Sequence, residues 1–117
     1  MDMSNYVEGF VVAVPTANRE TYRQVAADAA RLFRKHGALS LVECWGDDVP
    51  EGKLTSFPMA VKLKPDETVV FSWIVWPSKA ARDQGNAAVM ADPDAPKQMP
   101  FDGQRMIFGG FTVLVDA

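Results

Sequence analysis

The chain has 117 residues, of which 48% are apolar and 23% charged, and its formal net charge is −3. This length suits a single domain over residues 1–117, and mild acidity with scattered basic residues argues against nucleic-acid binding. The opening residues MDMSNYVEG lack the features of an export signal, and no apolar run approaches the roughly 20 residues that cross a bilayer, so we expect no membrane association. Because Cys44 is the only cysteine, a cytoplasmic location is expected.

The first half of the chain predicts a strand, a helix and a second strand. Tyr6–Val14 is rich in β-branched and aromatic residues and is stopped by Pro15. A helix follows, from an N-cap at Asn18 to a C-terminal glycine at Gly37. Leu39–Trp45 predicts the second strand. The inward stripe of the helix, read from its periodicity, comprises Tyr22, Val25, Ala26, Ala29, Phe33 and His36.

The second half repeats this order. Thr68–Trp76 is almost wholly apolar, which is typical of a central strand. Ser78 is placed to cap a helix that runs to about Ala91. Arg105–Val115 predicts the fourth strand, in which Gly109–Gly110 indicates a bulge or a close backbone contact.

The resulting βαββαβ order predicts an α+β fold. It is the pattern of a ferredoxin-like sandwich, in which two helices cover one face of a four-stranded antiparallel sheet. About 20 residues between the second and third strands are too many for a structureless connection. Ser56–Lys64 therefore predicts a short additional helix, although its alternating apolar residues also permit a strand.

Successive side chains of a strand point to opposite sides of the sheet, so every strand has two faces. We assign the small and branched side chains, with Cys44, to the helix layer. The second set is bulky, contains Glu8 and Glu43, and is assigned to the opposite face. Because such an apolar face needs cover, we expect a homodimer in which two sheets close a dimeric α/β barrel. The bulky apolar members are Tyr6, Phe10, Leu41, Trp45, Ile74 and Trp76.

Six stretches of the sequence carry a resemblance to a known family. They are GFVVAVP (9–15), VECWGDDVPEGK (42–53), AVK (60–62), VVFSWI (69–74), PSK (77–79) and MPFDGQRMIFGGF (99–111). They resemble the YbaA-like family of uncharacterised bacterial proteins, the domain of unknown function 1428, over nearly the whole chain. The resemblance implies membership of the dimeric α/β-barrel superfamily, a ferredoxin-like fold and a homodimer, but no assigned activity.

Glu8 and Glu43 are the candidate catalytic residues. An acid flanked by aromatic side chains has its charged form disfavoured, which is how general bases are tuned towards neutral pH. The alternative is that both acids reach solvent near strand ends or pair with Arg105. The candidate ligand-binding residues are Trp45, Phe10, Ser72, Trp76 and Arg105.

No metal-binding or nucleophile motif is present. With His36 as the one histidine and Cys44 as the one cysteine, we expect no metal, haem or other cofactor. His36 is interpreted as a residue of the last helical turn, and Cys44 as a small core residue. Asp47, Asp48 and Glu51 are interpreted as a solvated turn rather than a cation site.

These features favour a protein that binds a small hydrophobic or aromatic molecule in the dimer barrel and uses carboxylate chemistry without a cofactor. Two alternatives stay open at this point. The first is a small-ligand binder without chemistry, and the second is a structural or stress-associated homodimer whose barrel is filled. The sequence leaves open whether the protein is an enzyme.

Overall fold

The computed structural model describes residues 4–117 and contains four strands and three helices. In chain order these are β1 (Tyr6–Pro15), α1 (Arg19–Lys35), β2 (Ser40–Trp45), α2 (Phe57–Ala60), β3 (Glu67–Trp76), α3 (Lys79–Ala91) and β4 (Ile107–Thr112). Turns of 3₁₀ helix precede α1, at Thr16–Asn18, and β4, at Gly103–Arg105. The predicted elements are therefore found, and the fourth strand is shorter than the predicted Arg105–Val115.

The strands form one sheet in the order β2-β3-β1-β4, with every neighbouring pair antiparallel. The predicted α+β class with a four-stranded antiparallel sheet is thus confirmed, and the strand order is compatible with the ferredoxin-like pattern. β1 and β3 lie in the centre and pair over ten residues each. The edge strands β2 and β4 are shorter, at six residues each.

Local signals in the sequence explain where the helices begin and end. The hydroxyl of Ser78 accepts a hydrogen bond of 3.0 Å from the amide of Ala81, and Ser56 caps α2 in the same way. Gly37 follows α1 with a φ of 109°, a left-handed conformation that favours glycine. Asn18 precedes α1 without a side-chain cap bond. Ser56–Lys64 is therefore a short helix followed by turns, not a strand.

The two long helices lie on the sheet face that carries the bulky side chains, so our assignment of the two faces was wrong. Val12 and Val70 pack against Tyr22 and Ala26 of α1. The reason is complementary size: the helices present small residues towards the sheet, and the bulky side chains of the sheet fill the space that these leave. At Gly85 of α3, an added Cβ would lie 2.2 Å from the ring of Trp76.

The opposite sheet face is apolar and only partly covered. Within the segment 46–66, Val61 is 1% exposed and packs, together with Val49 and Leu63, against Val11 and Val69. Beyond this cover Phe71 is 43% exposed and Phe111 is 60% exposed. An uncovered apolar face therefore exists, but it is built from the small and branched set of side chains and a few aromatic rings.

Cys44 belongs to this uncovered side, because it pairs in register with Phe71, and not to the helix layer as expected. It is half-buried. No bulge is found at Gly109–Gly110, since β4 stays in continuous register with β1. The close contact predicted there is present, because a Cβ on Gly110 would lie 2.4 Å from the hydroxyl of Tyr6. In residues 4–117, no helix is long and apolar enough to cross a membrane.

Candidate functional site

A cleft opens between α1 and the edge strand β2. Its volume is about 380 Å³. Three alanines on α1 leave this space, because Ala26, Ala27 and Ala30 carry no more than a methyl group towards β2. The lining residues are Arg19, Tyr22, Arg23, Ala26, Ala27, Ala30, Leu41, Glu43, Cys44, Trp45 and Val70.

Glu43 lies in this cleft and is held by two hydroxyl groups. The phenol of Tyr22, itself 6% exposed, donates a hydrogen bond of 2.7 Å to Glu43 Oε1. Ser72 sits directly opposite Glu43 in the β2–β3 register, and its hydroxyl also bonds to the carboxylate. Tyr22 thus joins the helix to the sheet through an acid that still faces the cleft.

The electrostatics of this pair favour the neutral forms. Removal from water raises the pKa of Glu43 above its ordinary value, while the hydrogen bonds from Tyr22 and Ser72 act in the opposite direction. Burial, together with the nearby charge of Glu43, raises the pKa of Tyr22 strongly. Because Glu43 stays exposed through the cleft mouth, its desolvation is partial. A carboxyl group whose pKa is raised by burial has the property that general-base carboxylates share.

A second, smaller cavity of about 140 Å³ lies on the other side of the Tyr22–Glu43 pair. Met99 and Phe101, from the segment before β4, form part of its wall, and the ring of Phe101 lies 5.9 Å from that of Tyr22. Phe10 and Ser72 also line it. The Tyr22–Glu43 hydrogen bond therefore separates two apolar spaces.

Arg19 stands at the mouth of the larger cleft. Its guanidinium carbon lies 5.4 Å from the ring centroid of Trp45, which is a cation–π contact. Its neighbour Arg23 is paired with Glu20 at 2.9 Å. Among residues 4–117, Arg19 has no acidic partner of its own. The cleft thus combines an apolar wall, one carboxyl group and one unpaired cation.

Glu8, the second catalytic candidate, is a buried structural anchor. It is 5% exposed, and its Oε1 accepts a hydrogen bond of 2.8 Å from the indole of Trp76. The amide of Asn86 donates to both carboxylate oxygens, at 3.3 Å and 3.1 Å, and Arg82 lies 3.6 Å away. Glu8 faces α3 and not an open lumen, because the same face of the sheet packs against the helices.

Arg105 pairs with neither candidate acid. It forms a two-pronged ion pair with Glu67, at 2.8 Å and 2.6 Å, and a further bond of 3.0 Å to Asp102. It also donates to the carbonyl of Lys62 at 3.0 Å. The hydrogen bonds from Arg105 lower the pKa of Glu67 to about 2. The DGQR stretch therefore fastens the segment 46–66 to the approach of β4, so Arg105 does not belong to the cleft.

The structure brings four of the seven candidate residues together. Glu43 and Trp45 line the larger cleft, and Phe10 and Ser72 line the smaller cavity beside it. Trp76 is fully buried against Phe33, with ring centroids 6.2 Å apart, and is core. Tyr22 and Arg19 also line the larger cleft, and the sequence analysis did not name them as candidates. The spacing of Arg19, Tyr22, Arg23 and Ala26 along one helix side is the signal that places them with Glu43.

His36 and the acidic turn have separate structural settings. His36 Nε2 lies 2.8 Å from Asp92 Oδ2, and Lys35 Nζ lies 3.1 Å from the same oxygen. This contact joins the C-terminal ends of α1 and α3. Asp47 and Asp48 lie in an exposed turn. Among the residues that the structure describes, no group of three or more His, Cys, Asp or Glu side chains is placed to hold a metal ion.

Comparison with known proteins identifies the family of this chain. The model of the family described as "Protein of unknown function (DUF1428)" matches residues 5–103. The chain belongs to this family. It is 55% identical over 114 residues to proteins called "Uncharacterized protein YbaA" from Escherichia coli strain K12 and from Shigella flexneri, covering 95% of this chain and 97% of each relative. Membership of a YbaA-like family is thereby established.

Proposed function

We propose that the protein binds a small hydrophobic or aromatic molecule in the α1–β2 cleft and that Glu43 exchanges a proton with it without a cofactor. One observation carries the proposal: an accessible carboxyl group with a raised pKa lies in an apolar cleft of about 380 Å³. Ligand sites are concave, mostly apolar and carry a few directed polar groups, and this cleft has those features.

The chemistry that follows is proton transfer. The carboxylate of Glu43 takes a proton from an acidic C–H or O–H of the bound molecule, and the resulting carboxylic acid returns it to the same or a neighbouring atom. Tyr22 holds the carboxyl group in place through its hydrogen bond of 2.7 Å. No electron acceptor or further reactant is needed, because the proton is both taken and returned by Glu43.

The site differs from the one expected between two sheets. Glu43 points towards α1 within its own chain, so the cleft needs no second copy to form. Binding without chemistry is the alternative that the same geometry supports, because the Tyr22–Glu43 pair is hydrogen-bonded before any ligand arrives. The two proposals share the cleft and differ only in whether Glu43 exchanges a proton.

A neutral aromatic ketone, 2-tetralone, tests both proposals in D₂O. Proton NMR follows ligand binding by saturation transfer and the loss of the acidic α-protons by exchange. We expect binding and accelerated exchange with the native chain. In Glu43→Gln we expect retained binding and exchange slowed by about 100-fold or more, which is the scale of a lost general base. Binding without acceleration would establish the alternative, and an unchanged rate in Glu43→Gln would contradict the role of Glu43.

The location of binding is tested by filling the cleft. Ala30 lines the cleft and Thr21 is an exposed residue on the same helix. Ala30→Phe is expected to abolish binding of 2-tetralone, whereas Thr21→Phe, which adds the same ring outside the cleft, is expected to leave it unchanged. Equal binding by both folded variants would show that the α1–β2 cleft is not the site.

For assembly, we propose a ferredoxin-like homodimer that packs through the uncovered sheet face as a dimeric α/β barrel. The chain exposes 7716 Å² of surface, compared with about 6,300 Å² expected for a monomer of this mass. The excess exceeds the roughly 800 Å² that one partner buries in a standard interface.

If the cleft binds nothing, we propose instead that the protein is a structural or stress-associated homodimer. A cytoplasmic location is proposed from the single cysteine.

Two exposed rings on β4 give a matched test of the interface. Phe111 is 60% exposed on the uncovered face, and Phe108 is 69% exposed on the helix side, where it stacks on Phe10. Light scattering at micromolar concentration is expected to show a dimer for the native chain and for Phe108→Lys, and a monomer for Phe111→Lys. A native monomer, or an intact Phe111→Lys dimer, would contradict this interface.

A further inference from the structure

The cleft carries one cation, Arg19, that no acidic side chain of the described residues neutralises. Arg19 is exposed at the mouth, lies over the Trp45 ring at 5.4 Å, and has no acidic partner within residues 4–117. The neighbouring Arg23 is already paired with Glu20. Stacking on Trp45 holds the guanidinium over the cleft and leaves its N–H groups available to an anion.

The order of residues along α1 sets the position of this cation relative to Glu43. Tyr22, which holds Glu43, follows Arg19 by three residues, a rise of about 4.5 Å along the helix axis. A ligand whose anionic end meets Arg19 would therefore place its next few atoms beside Tyr22 and Glu43. Its apolar body would lie against Ala26 and Ala30, further along the cleft from Arg19.

From this geometry we infer that the ligand class of the cleft is an apolar or aromatic carboxylic acid, bound as its anion by Arg19. This inference rests on the proposed function and narrows it from apolar molecules in general to monoanions. A guanidinium and a carboxylate form two parallel hydrogen bonds, which fix orientation as well as adding affinity. The carboxylate at the mouth would align the reacting end of the molecule with Glu43.

Two isosteric probes test the inference: 2-naphthoate, which carries the anion, and 2-naphthamide, which does not. Isothermal titration calorimetry at low salt is expected to show naphthoate binding about tenfold more tightly, which corresponds to one charge-assisted contact. In Arg19→Gln the two affinities should become equal within about twofold. Arg19→Lys, which keeps the charge but not the fork, should retain part of the preference. High salt should weaken naphthoate alone.

Arg34 provides the control. It is an exposed arginine on the same helix, about 22 Å from Arg19 along the axis and outside the cleft lining. Arg34→Gln is expected to leave the tenfold preference unchanged. Equal affinities in the native chain, or a preference that survives Arg19→Gln, would overturn the inference while the cleft proposal stands. If neither probe binds, the proposed function itself fails, and naphthamide binding by Arg19→Gln shows that this variant is folded.

Discussion

Glu8 and Glu43 occupy equivalent settings in the sequence and different settings in the structure. Each is an acid in an apolar strand, and both point to the helix-covered face of the sheet. Glu8 accepts hydrogen bonds from Trp76 and Asn86 and is 5% exposed. Glu43 is bonded to hydroxyl groups and stays open to a cleft. The partners supplied by the overlying helix, not the strand, therefore separate an anchor from a candidate site.

The helices differ in what they bring to their acid. α3 presents Asn86 and Arg82 to Glu8, which supplies donors and positive charge. α1 presents alanines and Tyr22 to Glu43, which leaves space and no paired cation. A buried charge is tolerated when it is fully paired, and partly paired groups with shifted pKa values are enriched at functional sites. This difference predicts opposite responses to the same substitution in the two acids.

The largest expected effect is at Glu8. Glu8→Gln keeps the size of the side chain but turns an amide towards the donors of Asn86 and Arg82. Gln keeps one acceptor oxygen but removes the second acceptor and the negative charge opposite Arg82, which should lower the free energy of unfolding by about 4 kcal/mol. Urea denaturation followed by circular dichroism measures this change. A loss no greater than that of Glu43→Gln would show that the two acids do not differ.

Arg105→Met tests a second fully paired acid, Glu67, and should lower the free energy of unfolding at neutral pH by less than Glu8→Gln does. Arg105 holds the pKa of Glu67 at about 2, below its ordinary 4.5. Because the pKa of Glu67 is lower in the folded chain than in the unfolded chain, its ionised carboxylate stabilises the folded chain above pH 4.5. This contribution is lost as the pH falls from 4.5 towards 2. The difference in stability between native chain and variant should therefore shrink over that range. A pH-independent difference would assign the effect to packing alone.

Tyr22→Phe should cost less, about 1 kcal/mol, because one hydrogen bond is lost and the ring is kept. Thermal unfolding measures the change. The remaining carboxyl group of Glu43 still reaches solvent through the cleft, so its loss of a partner is compensated by water. A cost as large as that of Glu8→Gln would show that the Tyr22–Glu43 pair is a structural anchor as well.

Glu43→Gln has the smallest expected effect on stability, within about 0.5 kcal/mol at pH 5. A raised carboxyl pKa means that the folded chain binds the proton more tightly than the unfolded chain, so the contribution of Glu43 to stability falls as pH rises through its folded pKa. Glu43→Gln should therefore gain stability relative to the native chain as the pH rises above the ordinary carboxyl pKa of 4.5. A relative loss over that range would contradict the raised pKa.

The order and type of the main elements could be predicted because the signals were local. Alternating apolar residues, the capping serine Ser78, and Gly37 each act within a few residues of their effect. The position of β4 was less well predicted, since its pairing ends where β1 begins, at Tyr6 opposite Thr112. That limit is set by β1, the first strand of the chain.

Which sheet face the helices cover could not be predicted from the strands alone, because the side chains on both faces are largely apolar. The deciding information lay in the helices: Ala26 and Gly85 leave room only for large partners such as Trp76. The site followed the same pattern. Glu43 and Trp45 were found from the strand, but Tyr22 looked like one more core residue of an amphipathic helix. The partner of its hydroxyl, Glu43, is 21 residues away in the sequence, so the strand and helix patterns did not indicate this contact.

The pKa of Glu43 tests the central claim most directly. Its side-chain carboxyl carbon can be followed by NMR as the pH is varied, in the native chain and in Tyr22→Phe. The account predicts a pKa above the ordinary 4.5 in the native chain, and a further rise in Tyr22→Phe, because the hydrogen bond from Tyr22 favours the charged form. A native pKa at or below 4.5, or a fall in Tyr22→Phe, would contradict it.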